Sequence, residues 1–557
     1  MRTRLRGLAV AALLFTTPAV AAQADVFFRG GAIYTLDPRR PWADALVISG
    51  GRIAYVGDVV GAHPYIGKKT RVVPLKGRMV LPGFHDAHAH PMSSGMQFLR
   101  CRLGGLKSAA QTYSTVRSCD ATVTEPWLIG NGWSPSLAPA SLAKIDALVP
   151  DRPAYIATED GFTVWVNSKA FAAAGIDPRA SSLKGLERDL RTRQPTGVVR
   201  DDALTLIRQF RPIPGERQYR EAFRRWSALA SPLGITSVFD AAANGPMVEA
   251  YHAADMAGEL KLRVVAAQLV DTKRDPEQVD EMVLRRDRVR GPLFRADAAK
   301  IFLDGEISMH TAALLSPYAD TPGSRGELFV QPDALDALVK RLDADGFLIH
   351  MHVMGDRALR VGLDAIEGAM AANGPKDRRH QIAHVGIADP ADLPRFGKLG
   401  VAANLSPGWF EVDDPAMAST EAVLDPERRG GMYPAKSVAS AGGRIVMSSD
   451  WPATSMNPLE GIQIAVTRQP LDASQPPKRP QERVDLATAL AAYTREAAWV
   501  AREDEIDGTL KAGMAADLVV LDQNLFRIDV SDIHKARVLL TLLNGQPVYK
   551  DRHFGWP

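Results

Sequence analysis

An α/β fold carrying a parallel sheet or barrel, with a small β-sandwich assembled from the two chain ends, is the architecture this sequence predicts. Three observations lead there. The middle of the chain alternates apolar strand-like runs, such as Arg263 to Gln268, Phe347 to His352 and Arg444 to Ser448, with amphipathic helical stretches such as 356–373 and 485–501. Both ends are instead rich in short β patterns. Candidate metal ligands fall at the C-terminal ends of the predicted strands, which is where barrel active sites are built.

From the N-terminus, Arg2, Arg4 and Arg6 precede an apolar stretch from Leu8 to Phe15, and small residues follow. This predicts a signal peptide over 1–24, cleaved at Ala19-Val20-Ala21 or Ala22-Gln23-Ala24, and a periplasmic or secreted protein. The apolar run is too short to span a bilayer, so no stable membrane insertion is expected after its removal. A membrane-tethered or cytosolic protein with an apolar start is the alternative. Next, Val26 to Phe28, Ala32 to Leu36 and Ala45 to Ile48 read as strands, and Gly50-Gly51 turns into Arg52 to Val56 as a hairpin. Residues 71–81 supply a strand that runs directly into Pro82-Gly83-Phe84-His85-Asp86-Ala87-His88-Ala89-His90-Pro91. At the other end, Asp517 to Asp522, Val538 to Leu543 and, after Asn544-Gly545, Pro547 to Tyr549 repeat the style. The expected division is therefore a composite sandwich of 25–80 with 505–557 around a barrel over 81–504. Residues 100–200 are too long and irregular for one βα unit and are expected to form a cap.

Composition narrows the function. Hydrophobic residues at 46% and charged residues at 24% describe an ordinary globular protein. A net charge of +3 with no Lys/Arg block excludes nucleic acid as a natural partner. Cys101 and Cys119 are the only cysteines, so a cysteine metal cluster is excluded and any metal ligands are nitrogen and oxygen. In an oxidising compartment the pair forms one disulfide; two free buried thiols are the alternative.

The chemistry is carried by an ordered set of residues. On a strand, i and i+2 point the same way, so His88 and His90 can share one metal ion. About 0.3 His-x-His pairs are expected by chance in a chain with this many histidines; this one has two, the second being His350/His352. His384 falls at another strand end. His380-Gln381-Ile382-Ala383-His384 lacks the glutamate of the zincin helix, so His380 is read as structural. Asp450, after Ser448-Ser449, suits a general base beside a metal-bound water, against the alternative of a helix cap. Lys300 ligates a metal only as a neutral amine or as a carbamate; an ion pair with Asp304 is its alternative.

With these residues in view the chain resembles the amidohydrolase superfamily, and within it the amidohydrolase family 3 branch that includes N-substituted formamide deformylase and relatives of D-aminoacylase. The likeness extends through Trp127 to Trp133, Trp165 to Ala170, Thr196 to Arg200, Lys300 to Gly305, Thr311 to Leu314, His352 to Ala358, Ser449 to Pro452 and Gly508 to Gly513. It implies a (β/α)8 TIM-type barrel with a composite β-sandwich. It further implies two divalent cations, zinc by the donor types, bridged by carboxylated Lys300. His88 and His90 would hold one metal, His352 and His384 the other, with Asp450 as ligand and base. Water acidified by the metals would then attack a small-molecule, amide-type carbon–nitrogen bond. A deaminase is the rival, but Gly355 stands where that subclass carries a glutamate, three residues after His352. Lactone or carbamate-ester hydrolysis would use the same machinery. The sequence departs from many relatives at Asp160-Gly161-Phe162, where they carry Asp-Gly-His, and near Asn404 to Pro407, where they carry Gln-Pro; both places are expected to line the substrate pocket. Phe162, His310, His350, Trp409 and Trp451 are the candidate substrate-side residues, with His310 or His350 as oxyanion donor. A homo-oligomer is compatible with all of this.

Overall fold

Eight parallel strands form the centre of the molecule: Phe84–Ala89, Ile235–Ala243, Arg263–Leu269, Phe294–Phe302, Leu348–Val353, Gln381–His384, Ala402–Leu405 and Arg444–Met447, each beside the next. They belong to a computed structural model that describes residues 24–158, 161–410 and 415–556, with the backbone alone over 415–418. The expected signal segment up to Gln23, with its cleavage positions, and Asp160 lie outside the described residues. Covered on both faces, the strands read as continuous apolar runs, and Leu348–Val353 is buried at every position. Helices return the chain between strands. In Asp356–Asn373 the buried residues Leu359, Leu363 and Ile366 recur at helical spacing and face the barrel.

The eighth strand returns to the first. Beyond their C-terminal ends, the Asp450 N–H donates to the His88 carbonyl at 2.7 Å. The Ser449 N–H and hydroxyl donate to the Asp86 carboxylate at 2.9 and 2.5 Å. Hydrogen bonds to a charged acceptor contribute about 1.5–3 kcal/mol each, so this seam is a strong closure and it lies at the mouth where the candidate ligands gather.

The second sheet takes strands from both chain ends, in the order Gln546–Lys550, Val538–Leu543, Leu518–Leu521, Met79–Pro82, Val26–Tyr34, Trp42–Ser49 and Arg52–Gly57, with Arg71–Pro74 also beside Val26–Tyr34. Side chains alternate between two cores. Leu518 and Val520 join Val80 and Leu540 in the sheet's own apolar cluster. Val519 and Leu521 join Met79, Leu81 and Phe84 in the barrel's core. Gly50-Gly51 (φ 58° and 77°) and Asn544-Gly545 (φ 48° and 72°) supply the positive φ pairs that two-residue hairpin turns require.

Three elements differ from the sequence reading. Val26–Tyr34 is one strand rather than two, its register shifting between Arg29 and Ile33 around Gly30, whose φ is 70°. The stretch 71–81 is two strands, Arg71–Pro74 and Met79–Pro82, because Lys76 and Gly77 turn the chain with φ of 55° and 82°. The helical stretch 485–501 is two helices, Leu486–Ala492 and Arg495–Val500. The break at Tyr493 leaves its carbonyl free to accept the His85 N–H at 2.8 Å, tying the helix pair to the start of the barrel. Residues 101–199 supply a separate six-stranded sheet from Cys101–Arg102 to Pro195–Val199, and a disulfide joins Cys101 on that sheet to Cys119 of the helix Ala109–Thr122.

At the base of the barrel, His85 is nearly fully buried between two carboxylates, with Nε2 3.2 Å from Asp507 and Nδ1 3.8 Å from Glu503. The Arg263 guanidinium reaches Asp507 and Asp517 at 3.2 and 2.7 Å, and the Ser237 hydroxyl donates to Glu503. Burial opposes the imidazolium, but Asp507, Glu503 and Asp517 together raise the His85 pKa above its usual 6.5. A raised histidine pKa stabilises the fold below the unfolded value, and the contribution is lost as pH rises through the folded value. Thermal stability should therefore fall as pH climbs above 6.5. In His85→Phe this pH slope should vanish; an unchanged slope would remove His85 from the account.

Candidate metal centre and active site

Strand geometry brings the six candidate ligands to one mouth. His88 lies near the end of the first barrel strand and His90 directly after it; Lys300, His352 and His384 lie on the fourth, fifth and sixth strands, and Asp450 follows the eighth. All of them line one cavity of about 340 Å³. His384 and Asp450 adopt left-handed backbone, φ 73° and 52°, a strained conformation found where function fixes a side chain. Asp450 Oδ1 lies 3.4 Å from His88 Nε2 and 3.3 Å from His90 Nε2, and Oδ2 lies 3.9 Å from His384 Nδ1. The His352 and His384 rings sit 4.6 Å apart, centre to centre.

Electrostatics prepare this set for cations. Burial, followed by the charge of Lys300, drives His88 well below the usual imidazole range and His352 to about 3. Burial, then His352 and Lys300, does the same to His384. All three are held neutral, the form in which imidazole binds a metal. Among the described residues, His88 Nε2 and His352 Nε2 are buried without a hydrogen-bond partner. An unsatisfied buried polar atom costs about 1–3 kcal/mol, and a cation at each nitrogen would remove that cost. Burial also lowers Lys300 to about 7, against the opposing pull of Asp450, so its amine is available uncharged. The ion pair with Asp304 does not form. That carboxylate accepts the backbone N–H groups of Ala313, Met354 and Gly355 at 2.9, 3.0 and 2.8 Å. The donor set fits divalent metal ions.

The candidate substrate residues separate into those at the cavity and those away from it. Trp409 lines it and donates its indole N–H to Asp450 Oδ2 at 3.3 Å. His350 does not line it. It is fully buried behind His88, with Nε2 2.9 Å from His88 Nδ1, so it orients a ligand and leaves Nε2 of His88 facing the cavity. His310 turns away to Asp320, 2.9 Å distant. Neither histidine is placed as an oxyanion donor. Trp451 stacks on Phe98 with 5.7 Å between ring centres, and Phe162 lies 64% exposed in the six-stranded sheet region, outside the lining. Asn404 and Ser406 are buried below the mouth rather than in the pocket wall, where Asn404 donates to the Ala87 carbonyl and to Gln381. His380 is structural, its Nδ1 accepting the Ile349 N–H and its Nε2 facing Asp343.

Sequence reasoning missed Phe302, Glu306, Ser308, Met354, Thr420 and Tyr433, which complete the walls. Phe302 offered a signal, lying two positions after Lys300 and so on the same side of the strand. Glu306 and Tyr433 lie outside the barrel strands and carry no periodic signal.

The comparisons agree with this geometry. The model of the amidohydrolase family matches residues 71–549. Protein LONG AFTER FAR-RED 3 of Arabidopsis thaliana is 29% identical, over 96% of this chain and 93% of its own. N-substituted formamide deformylase of Arthrobacter pascens is 26% identical, over 94% of this chain and 97% of its own. The crystal structure of an uncharacterized metal-dependent hydrolase from Pyrococcus furiosus has a TM-score of 0.74 at 26% identity, covering 90% of this chain and 99% of that one. Matched over nearly the whole barrel and composite sheet, and with a candidate metal-binding donor set at the barrel mouth, this chain is a hydrolytic enzyme that belongs to the amidohydrolase family.

Proposed function

We propose that the protein is a metal-dependent hydrolase of small molecules that cleaves an amide-type, non-peptide carbon–nitrogen bond, with Asp450 as general base and then general acid. One observation carries the reading. A single carboxylate faces His88 and His90 through one oxygen and His384 through the other, and the Trp409 indole N–H fixes its orientation. His88 and His90 would hold one cation and His352 and His384 a second, with Lys300 as its carbamate shared between them, zinc being favoured by the donor types. When bound, the ions supply Lewis-acid polarisation of a carbonyl and a water acidic enough to ionise near neutral pH. Asp450 takes the proton of the attacking water and returns it to the leaving nitrogen as the carbon–nitrogen bond breaks. The name of the Arthrobacter relative favours an N-substituted amide over a free amino-acid derivative.

A ring deaminase is disfavoured locally. A side chain at Gly355 would begin 2.0 Å from the Ala313 carbonyl oxygen, leaving no room for the glutamate that subclass places there. The test is metal analysis of purified protein, followed by a panel of N-formyl amines, N-acyl amines, lactones and carbamates before and after chelation. Amide cleavage that disappears on chelation and returns with zinc is expected. Full activity in the stripped enzyme, or cleavage confined to lactones, would overturn the proposal.

A further inference from the structure

The cavity walls carry information about charge that the ligand set does not. Above the metal-binding floor stand Phe302, Trp409 and Tyr433, and with them the carboxylate of Glu306. Glu306 is not part of the buried floor: its side chain is 52% exposed, and its nearest ionisable partner is His352, with Oε1 3.9 Å from Nε2, beyond hydrogen-bonding reach. Among the described residues it has no arginine or lysine partner. No arginine is among the described lining residues, and the sole lysine is Lys300, buried on the floor. A substrate carboxylate entering this cavity would meet Glu306 with no guanidinium to receive it, whereas carboxylate recognition characteristically uses a bidentate arginine. Aromatic faces beside an unpaired carboxylate are the surroundings that attract an organic ammonium group.

We infer that Glu306 is a specificity-determining residue, and that the preferred substrate is an N-acyl amine with a positively charged group on its amine side and no carboxylate. The assignment rests on the amide-hydrolase reading above. The apolar part of the amine lies along Phe302, Trp409 and Tyr433, and the ammonium reaches Glu306. The reaction itself is unchanged: water adds to the acyl carbon, the carbon–nitrogen bond breaks, and the proton passes to the departing nitrogen, giving a carboxylic acid and a diamine. Glu306 binds the spectator charge and repels substrates such as N-acyl amino acids, so part of the selectivity is repulsive.

Three acetamides of similar length test this: N-acetyl-1,4-diaminobutane, N-butylacetamide and N-acetyl-4-aminobutanoate, assayed with the zinc-loaded enzyme. The expected order of kcat/KM is cationic, neutral, anionic, with at least tenfold between the two charged compounds. In Glu306→Gln the ratio of cationic to neutral should fall at least tenfold, and the ratio of anionic to neutral should rise. An anionic amide cleaved as well as the cationic one, or an unchanged ranking in the variant, overturns the inference while leaving amide hydrolysis intact. A second readout is independent of turnover. Calorimetric binding of 1,4-diaminobutane against butylamine should favour the diamine in the wild type and lose that preference in Glu306→Gln. If no amide is cleaved, the proposed reaction fails, and this binding comparison still decides whether Glu306 selects a cation; equal binding in both proteins refutes it.

Discussion

Replacing Asp450 with asparagine should reduce kcat/KM for an amide substrate by about 10²–10⁴-fold, the contribution of a positioned general acid–base. The substitution preserves shape and keeps an oxygen toward His88 and His90 but cannot accept the proton. Metal content, measured on the same preparation, should stay at the wild-type level. The residual rate should depend on the leaving group, because the variant cannot donate a proton to a basic nitrogen; amides of weakly basic anilines should be the least affected. Wild-type turnover in this variant, with metal in place, would refute the role assigned to Asp450. Loss of metal together with activity would show instead that its first task is ligation.

Lys300 gives the second large effect. Its amine is fully buried, and burial lowers its pKa to about 7, which makes the uncharged form accessible at neutral pH. Only the neutral amine can react with carbon dioxide, so reconstitution of metal-free protein should be faster and more complete when bicarbonate is supplied with zinc. Lys300→Ala should weaken metal binding by at least about a hundredfold and abolish detectable hydrolysis. Short carboxylates such as acetate or propionate, small enough to occupy the vacated space, should restore part of both. A Lys300→Ala enzyme with full metal content and ordinary rates would eliminate the bridging carbamate.

How far the sequence revealed this molecule depends on which residues carry a period. Barrel strands buried on both faces give unbroken apolar runs, and helices such as Asp356–Asn373 repeat every three to four residues, so both were legible. The convergence of the candidate ligands at one mouth was legible because their order along the chain matches the order of strands around the barrel. Boundaries set by backbone sign were not: Lys76 at φ 55° and Tyr493 between two helices look unremarkable as letters. Substrate-side residues were the least legible. His310 and Trp451 have the right chemistry, but their direction is set by Asp320 and Phe98, partners remote enough that spacing does not disclose them. Glu306 was overlooked for the complementary reason, since a lone acid in a loop ordinarily signals only solvent contact.

The pairing of Leu518–Leu521 with Met79–Pro82 has a consequence for how the protein matures. The strand that leads into His88 lies against Val26–Tyr34 on one side but gains its second neighbour only after more than four hundred further residues have been synthesised. A chain truncated before Leu518 would leave Met79–Pro82 as an exposed, apolar β edge of the kind that recruits other chains, so the expected fate of such a fragment is aggregation rather than partial activity.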